Sequence, residues 1–233
     1  MGKKRIVLIL TVLAMIFSLC ACSSATAQST AQPASTPEAT SAPVAENTPT
    51  STAEAPQEST SKTIIVYFSR TGEQYNVGVI EKGNTAIVVD MIAQATGADL
   101  YEILPADDHY PMTYNALIDV ALQEQRDRAR PAIAGELPDL SGYDTIFFGS
   151  PVWWGDWPMI YYTFFESVPL SGKTLIPFTT HAGSGLSGFD RILAKQYPDC
   201  TVAKGLAIAG TDAQNHQEKV QKAVTNWLTE LGF

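Results

Sequence analysis

From residue 62 onward, short apolar runs alternate with helical patterns, and this alternation restricts the fold more than any other feature of the chain. The runs occupy 63–68 (TIIVYF), 99–104, 144–149 (DTIFFG), 174–178 (TLIPF) and 201–209. Helical spacing follows each of them, near 84–96, 113–128, 158–168, 188–196 and 212–231. Ile87, Val88, Met91, Ile92 and Ala95 keep the 3.6-residue period, as do Val220, Ala223, Val224, Trp227 and Leu231, and these are expected in the core. Strands that alternate with helices specify an α/β domain with a parallel sheet. Pro177 falls inside the fourth run, and because proline removes a ladder donor it is expected near that strand's C-terminal end.

The residues ahead of this domain have another character. Lys3, Lys4 and Arg5 precede an apolar run from Ile6 to Phe17, the pattern of a secretory signal. The run is about 12 residues long, short of the roughly 20 that cross a bilayer. Leu19-Cys20-Ala21-Cys22 resembles the lipobox of bacterial lipoproteins, which implies a signal peptide over 1–21 and lipidation of Cys22. Cys20 fits that motif less well, because bulky Leu19 would stand directly before the cut. Ser23 to Ser61 is almost entirely Ser, Thr, Ala, Pro, Gln and Glu, with Val44 its only large aliphatic residue. Such a segment cannot build a core, so 22–61 is read as a disordered tether. Its reach is on the order of 35 Å.

The remaining 62–233, about 170 residues, is long enough for one well-buried core. The chain carries a net charge of −9, and loss of the three cations in 1–21 takes it to −12. That excess disfavours nucleic acid or anionic lipid as a partner of the folded part. Membrane association is instead expected through the lipid on Cys22, with the domain outside the cytoplasmic membrane. Cys200 alone remains in the domain, which rules out an internal disulfide.

Ligands of open parallel sheets bind beyond the carboxyl ends of the strands. The first loop there begins SRTGEQYNVGVIEKGNT. Ser69, Thr71, Asn84 and Thr85 offer short hydroxyl and amide groups, and Gly72 and Gly83 permit close backbone approach. Asn84 or Thr85 can cap the first helix; the loop is either a phosphate cradle or a tight turn with an ordinary cap. A Walker loop is excluded, since no Gly-Lys-Ser/Thr follows. The second loop, SPVWWGDWP, sets Trp153, Trp154 and Trp157 between Pro151 and Pro158. These aromatics can cover the core edge, meet a partner, or hold a planar amphipathic ligand. The third loop, TTHAGSGLSG, contains Gly183, Gly185 and Gly188 in the order G-x-G-x-x-G. A dinucleotide fingerprint belongs to the first strand–helix turn, here occupied by SRTG, so the match is accidental as an NAD motif. Its glycines still expose N–H groups toward the same crevice.

Taken in order, YFSRTG with a later GNT, then GSPVWWG, then TTHAGSG resemble the three FMN-binding loops of the flavodoxin-like family. The resemblance covers the whole domain. It implies a doubly wound five-stranded parallel sheet of order 2-1-3-4-5 with helices on both faces, and FMN as cofactor. By position, Ser69, Thr71, Asn84 and Thr85 would hold the phosphate. Pro151, Val152, Trp153, Trp154 and Gly155 would line one side of the isoalloxazine, and Thr180, His181, Gly183, Ser184 and Gly185 the other. In one departure, residues 73–82 (EQYNVGVIEK) separate TG from GNT, where flavodoxins run directly into the helix. Asp156 beside the ring would disfavour a negatively charged reduced flavin and lower its potential.

The function these features imply is electron transfer by a tethered flavodoxin, to a redox partner protein or a small-molecule acceptor. The alternatives are an NAD(P)H-dependent FMN reductase of quinones, nitro or azo compounds, and a flavin-free surface lipoprotein that keeps the scaffold as a binding module. Other chemistry lacks its motifs: neither G-x-S-x-G nor H-E-x-x-H occurs. Asp107, Asp108 and His109 are read as a solvated loop, His181 as a hydrogen-bonding group, and His216 as an exposed residue at a helix start.

Overall fold

The computed structural model describes residues 62–233, so the expected signal peptide, the expected tether and Cys22 lie outside the described residues. In chain order the elements are β1 (Thr63–Tyr67), β2 (Gly72–Gln74), β3 (Gly78–Ile80), α1 (Asn84–Thr96), β4 (Asp99–Glu102), α2 (Tyr114–Asp127), β5 (Thr145–Pro151), α3 (Met159–Ser167), β6 (Thr174–His181), α4 (Phe189–Gln196), β7 (Thr201–Val202), β8 (Leu206–Ala209), α5 (Gly210–Asn215) and α6 (Gln217–Leu231). The main sheet runs β4-β1-β5-β6-β7, with β8 also paired to β6, and all its pairings are parallel. Counted by apolar runs this is the order 2-1-3-4-5.

Successive strand residues point to opposite faces, and each face buries its own cluster. Ile64, Val66, Ile146 and Phe148 meet Leu117 of α2, Ile160 and Phe164 of α3, and Phe189 of α4. Ile65, Phe147, Ile176 and Phe178 meet Ile87, Val88 and Ile92 of α1 and Val220, Val224 and Trp227 of α6. Helices on both faces explain why the central strands β1, β5 and β6 are largely apolar and buried, without polar alternation. Ala95 departs from the expected core: it sits exposed in the last turn of α1, before the left-handed cap at Gly97.

Pro177 stands in the middle of β6, with four strand residues after it, and not near the C-terminal end. The Leu175 carbonyl accepts from the Ala203 N–H at 3.0 Å, so Leu175, and by alternation Pro177, faces the β7/β8 side. On that side β7 stops at Val202 and β8 starts at Leu206. The missing donor therefore falls on a gap in the neighbouring strand, where a Cβ on Gly205 would lie 2.8 Å from the Pro177 carbonyl oxygen. The same gap divides the single run expected over 201–209. The last helical run also divides, at His216, whose non-helical backbone (φ -136°, ψ 50°) separates α5 from α6.

The segment between TG and GNT contains an antiparallel hairpin, β2 against β3. The Glu73 N–H donates to the Met112 carbonyl at 2.7 Å, and the Glu73 carboxylate accepts the N–H of Tyr114 at 2.8 Å. A carboxylate at the start of α2 satisfies an orphan helix donor and suits the helix dipole, so the hairpin is docked on α2. No described helix is long and apolar enough to cross a membrane.

Candidate functional site

The first loop is built around a helix start that does not cap itself. Gly83 is the N-cap of α1, and the capping oxygen comes from Ser69, whose Oγ accepts the Ala86 N–H at 3.1 Å. Gly83 cannot be larger, because a Cβ there would collide with Ser69 Oγ and lie 2.7 Å from the Arg70 carbonyl oxygen. Asn84 and Thr85 are thus the first two helical residues, not the cap, and their N–H groups have no intrahelical acceptors. Thr85 is buried, and its hydroxyl lies 2.8 Å from that of Thr180. Two hydroxyls that share one bond leave one O–H proton over, whichever of them donates. Asn84 Oδ1 accepts from Gln214 Nε2 at 2.8 Å, which fixes the amide and ties α5 to the loop.

In the second loop, Trp153 and Asp156 exchange backbone hydrogen bonds of 3.0 Å in both directions. The two residues between them, Trp154 at φ 50° and Gly155 at φ 79°, are both left-handed, as a type I′ turn requires. For a tryptophan that conformation costs about 1–2 kcal/mol. It aims a half-exposed indole at α2, where Trp154 Nε1 donates to the Ile118 carbonyl at 2.8 Å. Trp153 packs edge-on against Phe68 and Tyr110. Trp157 is buried core, stacked on Phe189 with centroids 3.9 Å apart. The Asp156 carboxylate accepts from the Trp157 N–H and the Tyr162 hydroxyl at 2.8 and 2.9 Å. Asp156 does not line the crevice, so the charge expected beside the ring is engaged elsewhere.

The third loop is fastened to the second. The Val152 N–H donates to the Thr180 carbonyl at 3.0 Å, and Ser187 Oγ to the Gly155 carbonyl at 2.8 Å. Gly183, Gly185 and Gly188 all have positive φ and form the turn from β6 into α4, with Gly188 its N-cap. His181 Nδ1 accepts the Gly183 N–H at 3.0 Å, which leaves the ring proton on Nε2. Burial pushes the His181 pKa below its usual 6.5, against an opposing pull from Asp212.

These loops converge on a cavity of about 250 Å³. Of the residues expected from sequence, Asn84, Thr85, Pro151, Val152, Trp153, Trp154, Thr180 and His181 line it. Ser69 supports the lining through its cap, Thr71 is exposed at the start of the hairpin, and Gly155, Gly183, Ser184 and Gly185 lie outside the lining. Sequence reasoning passed over Arg70, Gln74, Tyr75, Tyr114, Leu117, Ile118, Ala121, Ala182 and Gly210. A signal existed for Arg70, a cation within a loop read as an anion cradle. Tyr75, at the hairpin turn, packs on Tyr114 with centroids 5.4 Å apart, a contact across 39 residues that no local pattern announces.

The family described as flavodoxin matches residues 62–230. A protein of Bacteroides eggerthii classed as a flavoprotein is 31% identical with a TM-score of 0.58, over 74% of this chain and 99% of its own. A second such protein, from Bacteroides uniformis, is 32% identical with a TM-score of 0.56, over 71% and 98%. The flavoprotein of Lactobacillus acidophilus, solved in complex with FMN, shares the fold at 21% identity and a TM-score of 0.51, over 68% and 99%. No curated protein matches the chain. With the family pattern spanning nearly all of the described domain, and all three loops opening on one crevice, the chain belongs to the flavodoxin family.

Proposed function

We propose that the cavity holds FMN and that the domain is an electron carrier displayed outside the cytoplasmic membrane. One observation carries this reading: the start of α1 and the Trp153–Trp154 turn open on the same cavity. A phosphate dianion suits the first and a flat amphipathic ring the second. The cofactor is FMN, in keeping with the family and with the Lactobacillus acidophilus neighbour. When bound, FMN supplies the redox chemistry. The chain supplies N–H and side-chain donors from Asn84 and Thr85 for the phosphate, the spare hydroxyl proton shared by Thr85 and Thr180, and a neutral Nε2–H donor on His181. Trp153 and Trp154 supply flat apolar contact. The electrons pass to a redox partner protein or a small-molecule acceptor, and lipid on Cys22 with the tether keeps the domain at the membrane.

A second reading, an NAD(P)H-dependent FMN reductase of quinones, nitro or azo compounds, is favoured by the hairpin. It brings Tyr75 beside Tyr114 at the cavity, where a planar acceptor can stack. The absorption spectrum of the purified protein tests the cofactor, with flavin bands expected; colourless protein that takes up no FMN would leave a flavin-free binding module. Rapid steady-state NAD(P)H oxidation with a quinone would select the reductase. Labelled-palmitate incorporation tests the anchor: Cys22→Ser is expected to lose label and Cys20→Ser to keep it.

A further inference from the structure

We infer that Arg70 is the electrostatic partner of the reduced flavin, and that the Arg70–Asp108 pair sets how tightly the domain holds reduced cofactor relative to oxidised. This rests on the FMN reading above and extends it by naming the side chain that answers the charge. The chain has a net charge of −9, yet among the described residues no Asp or Glu lines the cavity, and the one permanently charged group there is Arg70. The other basic residue there, His181, spends its Nδ1 lone pair on the Gly183 N–H.

Arg70 is held in place. Its side chain is 10% exposed, Nη1 donates to Asp108 Oδ1 at 2.6 Å, and Nη2 donates to the Tyr110 carbonyl at 2.8 Å. The guanidinium lies 5.3 Å from the centroid of the Tyr110 ring, and that ring meets Trp153 of the cavity wall at 5.2 Å. Nε is buried without an acceptor, so the cation is not fully compensated by the protein. The nearby carboxylates have partners of their own: Asp108 with Arg70, Glu124 with His109 at 2.8 Å, and Asp212 with Lys219 at 2.7 Å. Asp108 is 57% exposed, so water screens its charge while the guanidinium acts through a dry wall. The lining is therefore electropositive inside an acidic molecule, the reverse of what Asp156 led the sequence to suggest.

Two electrons from a titrant such as dithionite, with one proton from water, turn the neutral oxidised ring into an anion, and dithionite leaves as sulfite. A fixed cation favours that product. The test measures oxidised-FMN affinity by fluorescence titration, and the midpoint potential by equilibration with a redox dye, on the whole protein. Arg70→Gln is expected to lose about tenfold more affinity for reduced than for oxidised FMN, a drop of about 30 mV for the two-electron couple. Asp108→Asn, which unmasks the cation, is expected to raise the potential, and Arg70→Lys to stay close to wild type. Loosened packing would move Arg70→Gln and Asp108→Asn in the same direction, so opposite signs are the signature. Equal losses for both oxidation states in Arg70→Gln would make Arg70 a phosphate ligand or a scaffold residue and overturn the inference. A lowered potential in Asp108→Asn would also overturn it. Wild-type protein that binds no FMN would remove the parent reading, and this one with it, before any variant is made.

Discussion

The two walls of the crevice are built on different principles. One is formed where α1 begins and β6 ends: Thr85 and Thr180 are buried and bonded to each other, and Gly83 lies against Ser69 and Arg70 with no room for a methyl group. The other is formed by the hairpin, the first turns of α2 and the Trp154 turn. There Tyr75 and Trp154 are 49% and 50% exposed, and the fastenings are single hydrogen bonds such as Glu73 to Tyr114. Under the proposed function, the contrast follows from what each wall would meet. Donors for a phosphate dianion work only if fixed and dry, since water competes for every one left loose. A wall that meets a passing acceptor can stay exposed and adjustable. Affinity should therefore reside in the first wall and selectivity in the second.

Glycines test this most severely. Gly83→Ala forces a Cβ into Ser69 and the Arg70 backbone, and should cost about 3 kcal/mol of stability as overpacking, with FMN binding lost. Gly78→Ala, in the hairpin at φ 91° with no heavy atom near its Cβ position, should cost only about 1–2 kcal/mol of backbone strain and spare FMN. Denaturant unfolding and fluorescence titration measure both. Comparable losses of FMN affinity in the two variants would erase the distinction between the walls.

Ligand discrimination separates them next. Thr85→Ala should weaken FMN by about 1.5–3 kcal/mol, the worth of a hydrogen bond to a charged group, yet hardly affect riboflavin, which lacks the phosphate. Tyr75→Ser should change oxidised-FMN affinity by less than about 1 kcal/mol and act on the KM of quinone acceptors, if these are substrates. Calorimetry with both ligands decides: equal losses of FMN and riboflavin in Thr85→Ala would mean that this helix start holds no phosphate.

The same division governs what the sequence revealed. Asn84, Thr85, Trp153, Trp154, Thr180 and His181 were legible because strand ends followed by short polar or aromatic residues mark a ligand crevice by position alone, and the family resemblance ordered them. The five runs gave the sheet, but Pro177 was misplaced, since only the three-dimensional pairing shows that its missing donor meets the gap between Val202 and Leu206. The hairpin was read merely as an interruption: strands of three residues carry too little periodicity to register. Tyr75 and Tyr114 escaped with it. Asp156 was misjudged because a sequence does not tell which side of a turn a carboxylate serves; here Tyr162, six residues on, takes it.

The hairpin's attachment gives a smaller effect. Glu73→Ala removes the acceptor of the Tyr114 N–H and should loosen β2 and β3 by about 1 kcal/mol, seen as faster amide exchange confined to 72–80. Global unfolding should not move. A loss of global stability larger than the local one would show the hairpin to be part of the cooperative core.

The weakest and most diagnostic contrast is pH. His109 lies in the segment that also supplies Asp108 and Tyr110 to Arg70, and both its ring nitrogens face acceptors, the Asp107 carbonyl at 2.9 Å and Glu124 at 2.8 Å. The Asp107 carbonyl first, and then Glu124, hold its pKa above 6.5, so the native state prefers the imidazolium. His181 is the opposite case, held below 6.5 by burial. A raised pKa means the folded state binds more protons than the unfolded, so the His109 contribution is complete below pH 6.5 and fades as pH rises through the folded value. A lowered pKa reverses the sign: the His181 contribution is complete above pH 6.5 and fades as pH falls through its folded value. Subtracting the stability–pH curve of His109→Gln from that of wild type should leave a difference that declines toward alkaline pH, while the same subtraction for His181→Gln should decline toward acid. Imidazole resonances followed by NMR give the two midpoints directly, one on either side of the free value. Two difference curves that slope the same way would mean that burial does not set His181 apart from His109.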